Sequence, residues 1–332
     1  MYNILYPWLE KTHKKILNHY KKNTIINYYP ILIHSKHNIG EDILCRSISF
    51  WLICNNHNNI KHCDKCNSCK LMKFGNYPDY YEIILEKNKN DNLEYLYSCI
   101  NNLYQLPCYG KCKVISILNS ELLSQKIINI IVKVIDKPPK NTYFIFTSSK
   151  EDLKLLINIK NYCFYFPLYT PIRSIGLNWL QKNIKDINIT ICDFITSLQI
   201  YNGSPIQAKY FLSSTLKEKR NIFCNKIIQS ISEKNFLILL PMFLEENIQN
   251  DLIIWIMSLL YDAIKNNFTD LYLINIDKLE LIQLFTNKFS TTKLFIQWKH
   301  WLNCKKILNN IENINYELLF SYFLLSVNKL LI

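Results

Sequence analysis

The first half of the sequence alternates short apolar segments with longer segments of helical spacing. Five runs have the apolar, β-branched or aromatic composition of buried strands: YPILIH at 29–34, YYEIIL at 80–85, KVISIL at 113–118, TYFIFT at 142–147 and CFYF at 163–166. Segments with helical periodicity lie between them, at 41–53, 92–106, 121–135 and 151–159. Because strands separated by helices pair in parallel and are covered on both faces, this alternation predicts an α/β fold with a buried parallel sheet.

Beyond residue 166 the pattern changes to helical periodicity rich in Leu, Ile and Phe, without strand alternation. We expect a sheet domain over 1–166, a small helical unit over 167–213 and a longer helical domain over 214–332. The last segment, NYELLFSYFLLSVNKLL at 315–331, is apolar on more than one face. It fits either a buried core helix or a surface that packs on other subunits.

Length and charge limit the class of protein. The chain has 332 residues, which is enough for two or three domains, and no apolar run reaches the roughly 20 residues that a membrane span needs. Without a signal-peptide pattern at its N-terminus, we expect a soluble cytoplasmic protein. The net charge of +13 divides into +9 over 1–166 and +4 over 167–332. A basic first half could face nucleic acid, or the Lys content could reflect A/T-rich codons.

The loop after the first predicted strand has the outline of a phosphate-binding loop but not its chemistry. The working motif, G-x-x-x-x-G-K-[ST], cradles phosphates with backbone N–H groups, while the Lys neutralises them and the hydroxyl binds Mg²⁺. In this sequence Ser35 takes the place of the first Gly, Gly40 is retained, Glu41 replaces the Lys and Asp42 replaces the hydroxyl residue. Two acids therefore face the position of a triphosphate.

A second nucleotide-site position is altered in the same way. In active enzymes of this type a later strand ends in an Asp that holds Mg²⁺. Here the strand KVISIL is followed by Asn119, which carries no charge for a hard cation. Together with the loop, this Walker B-type position predicts a nucleotide-binding fold that no longer hydrolyses nucleotide.

Four of the twelve cysteines are spaced like metal ligands. Cys63, Cys66 and Cys69 form a C-x2-C-x2-C pattern in a polar loop, and Cys54 precedes them by nine residues. Four thiolates complete the closed tetrahedral shell of a structural Zn²⁺, which leaves no position for a catalytic water. An iron–sulfur cluster is the rival, but the Cys-Pro that completes the ferredoxin run is absent. His57 or His62 remains a possible fourth ligand in place of Cys54.

The sequence resembles the delta-prime subunits of the bacterial DNA polymerase III clamp loader. The features that carry the resemblance are YPWL at 6–9, the altered loop at 35–42, the four cysteines, YPDYYEI at 77–83 and NIIVKVIDKPP at 129–139. The resemblance is close through about residue 166 and thin beyond it. It implies an AAA+ P-loop-type domain with a zinc module at about 54–72, an all-α lid at 167–213 and an all-α collar at 214–332.

The resemblance also implies a role and partners. Such a subunit assembles with ATP-hydrolysing gamma/tau subunits and a clamp-opening delta subunit to load the sliding clamp on primed DNA. Within that ring it would be a non-hydrolysing, stator-like member, against which the ATPase subunits move. No catalytic residue is expected in the isolated chain.

One position departs from the family pattern. Family members carry Ser-Arg-Cys before the last strand, and the Arg reaches the neighbouring subunit's ATP. This chain reads KNYC at 160–163, so Tyr162 stands at the Arg position and Lys160 is the nearest cation. We expect both residues to lie on one face of a strand, roughly 6–7 Å apart, at a subunit interface that contributes little to catalysis in its neighbour.

Two other functions compete with this one, and the sequence offers little for either. An ATPase of the same ring would need a Lys and a hydroxyl residue after Gly40 and an acid at position 119, and the sequence has none of these. An autonomous zinc-containing nucleic-acid-binding protein would use the cysteine loop and the basic first half. Such a protein would need Arg or aromatic residues near the metal for base contacts, whereas the loop offers mainly Asn, His and Lys.

Overall fold

The structure is a computed structural model in which the chain forms two compact units, Met1–Pro171 and Ile172–Ile332. It describes residues 5–22, 29–57, 60–85, 91–110, 112–149, 157–185, 189–245, 247–268, 272–310 and 314–331. The first unit contains a β-sheet, and the second is helical throughout its described residues.

Five parallel strands form the sheet of the first unit. They are β1 (Ile31–Ser35), β2 (Tyr80–Ile84), β3 (Lys113–Leu118), β4 (Thr142–Ser148) and β5 (Phe164–Leu168). Their order across the sheet is β2-β3-β4-β1-β5. In β1, Ile33 pairs with Thr147 on one side and Phe166 on the other. The predicted parallel sheet is confirmed, and each strand lies within two residues of its predicted ends.

Helices cover both faces of this sheet. They are α1 (Glu10–Lys22), α2 (Glu41–Ile53), α3 (Asn67–Lys73), α4 (Asp91–Leu103), α5 (Gln125–Asp136) and the short α6 (Ile157–Lys160). Ile31 and Ile33 of β1 enter a core with residues of α1 and α2, whereas Leu32 enters a second core with residues of α4 and α5. All five β1 side chains are buried, as expected for a central parallel strand.

Two helix boundaries differ from the prediction. The helix predicted over 92–106 ends at Leu103. Residues that follow it are held as a loop because the buried Asp79 carboxylate accepts hydrogen bonds from the backbone N–H groups of Cys108 (2.9 Å) and Tyr109 (2.8 Å). The helix predicted over 121–135 begins only at Gln125, after a 3₁₀ turn at Ser120–Leu122 and an extended Ser124.

The predicted strand conformation of Lys160 and Tyr162 is wrong. Lys160 is the last residue of α6, and Tyr162 lies in the turn that follows. The backbone N–H of Tyr162 donates to the carbonyl of Ile159, and that of Cys163 donates to the carbonyl of Lys160. These bonds continue the helical turn, so β5 begins only at Phe164. Residues 151–156 of the helix predicted over 151–159 lie outside the described residues.

The second unit is built from helices packed around one hydrophobic core. They are α7 (Arg173–Asn183), α8 (Ile191–Ile200), α9 (Pro205–Ser213), α10 (Leu216–Glu233), α11 (Leu240–Phe243), α12 (Gln249–Asn266), α13 (Leu279–Lys288), α14 (Thr291–Asn310) and α15 (Tyr316–Leu331). The predicted helical C-terminal region is confirmed. Its division at residue 213 stays a prediction, because side chains from α7 through α15 share the core.

The last helix has one buried and one exposed apolar face. Phe320 and Leu324 of α15 are fully buried, whereas Leu318, Tyr322 and Leu325 are 70, 63 and 45% exposed. The predicted apolar character on more than one face therefore corresponds to a core-facing side and an open side. Among the described residues, no helix combines the length and apolarity required to cross a membrane.

Candidate phosphate-loop site and metal centre

The loop that joins β1 to α2 lies at the carboxyl edge of the sheet. Its backbone passes through two left-handed residues, Asn38 (φ 48°) and Gly40 (φ 101°), immediately before α2 begins at Glu41. A φ of 101° is unfavourable for a residue with a Cβ atom, so Gly40 is required for this turn. This turn therefore leads directly into the N-terminus of α2.

The Glu41 side chain folds back into this loop. Its Oε2 accepts hydrogen bonds from the Ser35 hydroxyl (2.9 Å) and from the backbone N–H of Ile39 (3.1 Å), and only 4% of the residue is exposed. Burial raises the pKa of the Glu41 carboxyl, although hydrogen bonds from its own backbone N–H, Ser35 and Ile39 oppose the rise. The carboxylate therefore lies among the donors of the loop.

Asp42 faces the ends of the neighbouring strands. Its Oδ1 lies 3.5 Å from the hydroxyl of Thr147 at the carboxyl end of β4. Burial raises the pKa of Asp42, and the positive charge of Arg46 opposes the rise. The Arg46 guanidinium forms two bonds with the Glu82 carboxylate, at 2.6 and 3.0 Å. Arg46, whose charge acts on Asp42, is thus already engaged by another carboxylate.

Asn119 follows β3 at the same edge. Its backbone is left-handed (φ 57°), its N–H donates to the Thr147 hydroxyl (3.3 Å), and its side-chain nitrogen donates to the carbonyl of Leu85 (3.1 Å). Asp42 and Asn119 therefore both contact Thr147. The structure brings Ser35, Gly40 and Glu41 together in one loop and places Asp42 and Asn119 beside it.

Sequence reasoning missed a further acid at this edge. Glu121, in the 3₁₀ turn after β3, is 7% exposed and accepts a hydrogen bond from the Ser149 hydroxyl (3.0 Å). Its other oxygen, Oε2, has no hydrogen-bond partner among the described residues. The available signal was an acid in the first turn after a predicted strand. Glu121 adds a third carboxylate to an edge where a nucleotide site requires positive charge.

The four cysteines converge where α2 leads into α3. Their sulfur atoms all lie within 4.8 Å of one another, with Cys54 to Cys66 and Cys63 to Cys69 each at 4.0 Å. A tetrahedral ion with metal–sulfur bonds of about 2.3 Å would place neighbouring sulfurs about 3.8 Å apart. The set therefore matches a single ion, and these four residues could bind one.

Backbone N–H groups of the loop point at the sulfur atoms. Cys63 N–H donates to Cys54 (3.3 Å), Cys66 N–H to Cys63 (3.3 Å) and Cys69 N–H to Cys66 (3.4 Å). The bond from Cys66, together with one from Lys65, lowers the pKa of the Cys63 thiol to about 6. Such donors stabilise thiolates, the form that binds metal.

Neither histidine of the loop joins the sulfur atoms. His57 Nδ1 lies 3.0 Å from the carbonyl oxygen of Cys54, and its ring packs on Trp51. His62 Nε2 pairs with Asp64 at 3.1 Å. Within the described part of the chain, the fourth ligand atom close to the three clustered cysteines is therefore the sulfur of Cys54.

Lys160 and Tyr162 have different surroundings. The Lys160 ammonium lies 4.3 Å from the centre of the Tyr165 ring, a distance typical of a cation–π contact. Tyr162 is 37% exposed in its turn. The Tyr162 side chain is therefore partly open to solvent, while Lys160 rests on an aromatic face within its own unit.

Comparisons with known proteins extend over nearly the whole chain. Residues 8–171 match the family described as DNA polymerase III, delta subunit, and residues 214–329 match DNA polymerase III, delta subunit, C terminal. The DNA polymerase III subunit delta' of Buchnera aphidicola subsp. Schizaphis graminum is 35% identical over 98% of both chains. That of Buchnera aphidicola subsp. Acyrthosiphon pisum is 34% identical over 98% of both chains. That of Yersinia pestis is 30% identical over 97% of this chain and 94% of its own. The chain therefore belongs to the DNA polymerase III delta-prime subunits, the family that its motifs resemble.

Proposed function

We propose that this chain is a non-hydrolysing, stator-like subunit of a bacterial clamp loader, acting in the cytoplasm during DNA replication. Family membership supports the clamp-loader role. The observation that carries the non-hydrolysing part is the charge at the carboxyl edge of the sheet, where Glu41, Asp42 and Glu121 are at least half-buried acids. A triphosphate carries negative charge and needs cations or N–H donors at this position.

The chemistry of hydrolysis is missing at each position where it is required. Glu41 stands where a Lys would neutralise the phosphates, Asp42 where a hydroxyl would hold Mg²⁺, and Asn119 where a carboxylate would complete the metal site. Repulsion between a buried carboxylate and a phosphate at close range amounts to several kcal/mol at an effective dielectric constant of about 20. We therefore infer that the isolated chain neither binds nor hydrolyses ATP appreciably.

In a ring of ATP-driven subunits, a member with this fold can share the packing of its neighbours without responding to nucleotide. It then provides a fixed surface against which the other subunits move. The proposed partners are the ATPase gamma/tau subunits and the delta subunit, and through them the sliding clamp and primed DNA. We assign 167–213 to a lid and 214–332 to a collar that assembles with these subunits.

The open face of α15 supports assembly through the second unit. Leu318, Tyr322 and Leu325 recur at helical spacing and remain exposed, while the opposite face is buried in the core. Apolar side chains grouped on one face of a helix are costly to leave in water and mark contact surfaces. We propose that this stripe is covered when the ring forms.

We further propose that Cys54, Cys63, Cys66 and Cys69 hold one structural Zn²⁺. The donor set is all thiolate, its sulfur spacing suits one tetrahedral ion, and backbone N–H groups support the negative charge. When bound, the ion would fix the loop between α2 and α3, since four protein ligands leave no site for substrate or water. Its proposed role is therefore to stabilise this loop.

Reconstitution of the ring tests the proposed function. The chain, co-expressed with gamma/tau and delta subunits, should purify with them, whereas an autonomous nucleic-acid binder would purify alone and bind DNA by itself. Lys160→Ala and Tyr162→Ala should leave clamp- and DNA-stimulated ATP hydrolysis near normal, and Tyr162→Arg should increase it, because a guanidinium can stabilise charge on a neighbour's phosphoryl group. A collapse of the rate with Lys160→Ala would show instead that the lysine takes the place of the family's Arg at the neighbouring subunit's ATP.

A further inference from the structure

We propose that the Glu41 carboxylate is an internal anion that fills the phosphate loop, so that a side chain of the chain itself closes the loop to polyphosphates. This inference rests on the proposed absence of nucleotide binding and names the residue that enforces it. The sequence shows only that an acid replaces a Lys. The structure adds where that acid goes, which is into the loop.

The donors that hold Glu41 are of the kind that hold phosphate in working loops. Its Oε2 accepts from the backbone N–H of Ile39, a loop residue, and from the Ser35 hydroxyl at the end of β1. Glu41 also occupies the first position of α2, a helix of 13 residues, where the helix dipole favours negative charge. The carboxylate thus receives an N–H bond, a hydroxyl bond and the field of a helix N-terminus.

The arrangement is closed to solvent. Ser35 is fully buried, Ile39 is 1% exposed and Glu41 is 4% exposed. A buried ionised group needs hydrogen bonds to be stable, and here Oε2 of Glu41 accepts two of them from the chain itself, without any ligand. A polyphosphate could enter only by displacing a carboxylate that is tethered to the same loop and therefore always present at high local concentration.

The adjacent acid provides a matched control. Asp42 carries the same charge one residue further along, but its carboxylate contacts Thr147 of β4 and not the loop N–H. If general negative charge excludes polyphosphate, removal of either acid should admit it equally. If Glu41 acts by filling the loop, only its truncation should do so.

The test is calorimetric titration of tripolyphosphate into the full chain and its variants, at fixed ionic strength. We expect no saturable binding to the wild type, to Glu41→Gln, which keeps the size of the side chain, or to Asp42→Ala. For Glu41→Ala we expect saturable binding, at least about tenfold tighter than any wild-type signal. Equal binding by Glu41→Ala and Asp42→Ala, or none by a folded Glu41→Ala, would overturn the proposal.

A second measurement on the wild type does not depend on a variant that folds. Hydrogen exchange of the Ile39 amide should be slower than that of an exposed loop amide, because this N–H donates to a buried carboxylate. Exchange at the rate of an unprotected amide would overturn the proposal by itself. If Glu41→Ala binds no tripolyphosphate and the wild type binds no ATP, the proposal that Glu41 fills the loop is refuted, while the proposed function is retained. ATP binding by the wild type would remove both.

Discussion

The phosphate loop and the cysteine loop both gather negative charge in a small volume, but they balance it differently. In the phosphate loop one carboxylate is met by a hydroxyl and a backbone N–H. In the cysteine loop four sulfur atoms lie within 4.8 Å of one another, and backbone N–H groups, which carry no net charge, point at three of them. The carboxylate of the first region is hydrogen-bonded without a ligand, whereas the sulfur cluster of the second could hold a metal ion.

This difference decides what each region contributes. A loop whose carboxylate is hydrogen-bonded by the chain itself can keep its shape without nucleotide, as the proposed stator role requires. A loop that depends on an ion folds only when the ion is bound. We therefore expect changes in the cysteine loop to have larger effects than changes in the phosphate loop.

The largest effect should come from the metal ligands. Cys66→Ser should lower metal affinity by more than about 100-fold, because changes one shell further out already cost 10–100-fold. The loop should loosen while the sheet stays folded, since the cysteine segment is an insertion between α2 and β2. Elemental analysis of the chain purified without chelator should find one Zn per chain in the wild type and little in the variant.

Cys108→Ser is the matched control, because Cys108 is exposed and outside the sulfur cluster. The Cys108→Ser variant should contain as much Zn as the wild type. Iron in place of Zn, or no metal in the wild type, would end the zinc assignment. Equal metal content in Cys66→Ser and the wild type would show that this cysteine is not a ligand.

A smaller effect is expected when the phosphate loop loses its internal anion. Glu41→Ala should lower the free energy of unfolding by about 1–3 kcal/mol, because the Ile39 N–H and Ser35 hydroxyl become buried donors without an acceptor. Glu41→Gln should lower the free energy of unfolding by less, since its amide oxygen can still accept hydrogen bonds from these donors. Urea unfolding of the three chains measures this order. An unchanged free energy for Glu41→Ala would contradict the self-satisfied loop.

The smallest effect concerns pH. Burial raises the folded-state pKa of Glu41 above its ordinary value, so the folded chain binds this proton more tightly than the unfolded chain. Protonation therefore stabilises the fold: the contribution is fully present below the unfolded pKa of about 4.3 and is lost as the pH rises through the raised folded pKa. The wild type should lose stability relative to Glu41→Gln as the pH rises above the unfolded pKa of about 4.3 and through the raised folded pKa. A difference that stays constant, or that changes in the opposite direction, would refute this sign.

Some of this could be predicted from residues alone. The sequence predicts α2 over Glu41–Ile53, because helical periodicity begins directly after Gly40. It predicts the clustering of the four cysteines because they have the spacing of metal ligands. The conformation of Lys160 and Tyr162 could not be predicted from the sequence, because short apolar runs next to a helix do not show where the helix ends. The direction of the Glu41 side chain, into the loop, could not be predicted either, since its rotamer depends on hydrogen-bond donors that only the folded loop supplies.

The most direct test of the central claim is calorimetric titration of Mg-ATP into the full chain, with an active gamma-type subunit as positive control. We predict no saturable heat from the chain, because the carboxylates of Glu41 and Asp42 occupy the places of the lysine and the hydroxyl. Saturable binding at micromolar concentration would contradict it, and would mean that the carboxyl edge of the sheet is still a nucleotide site.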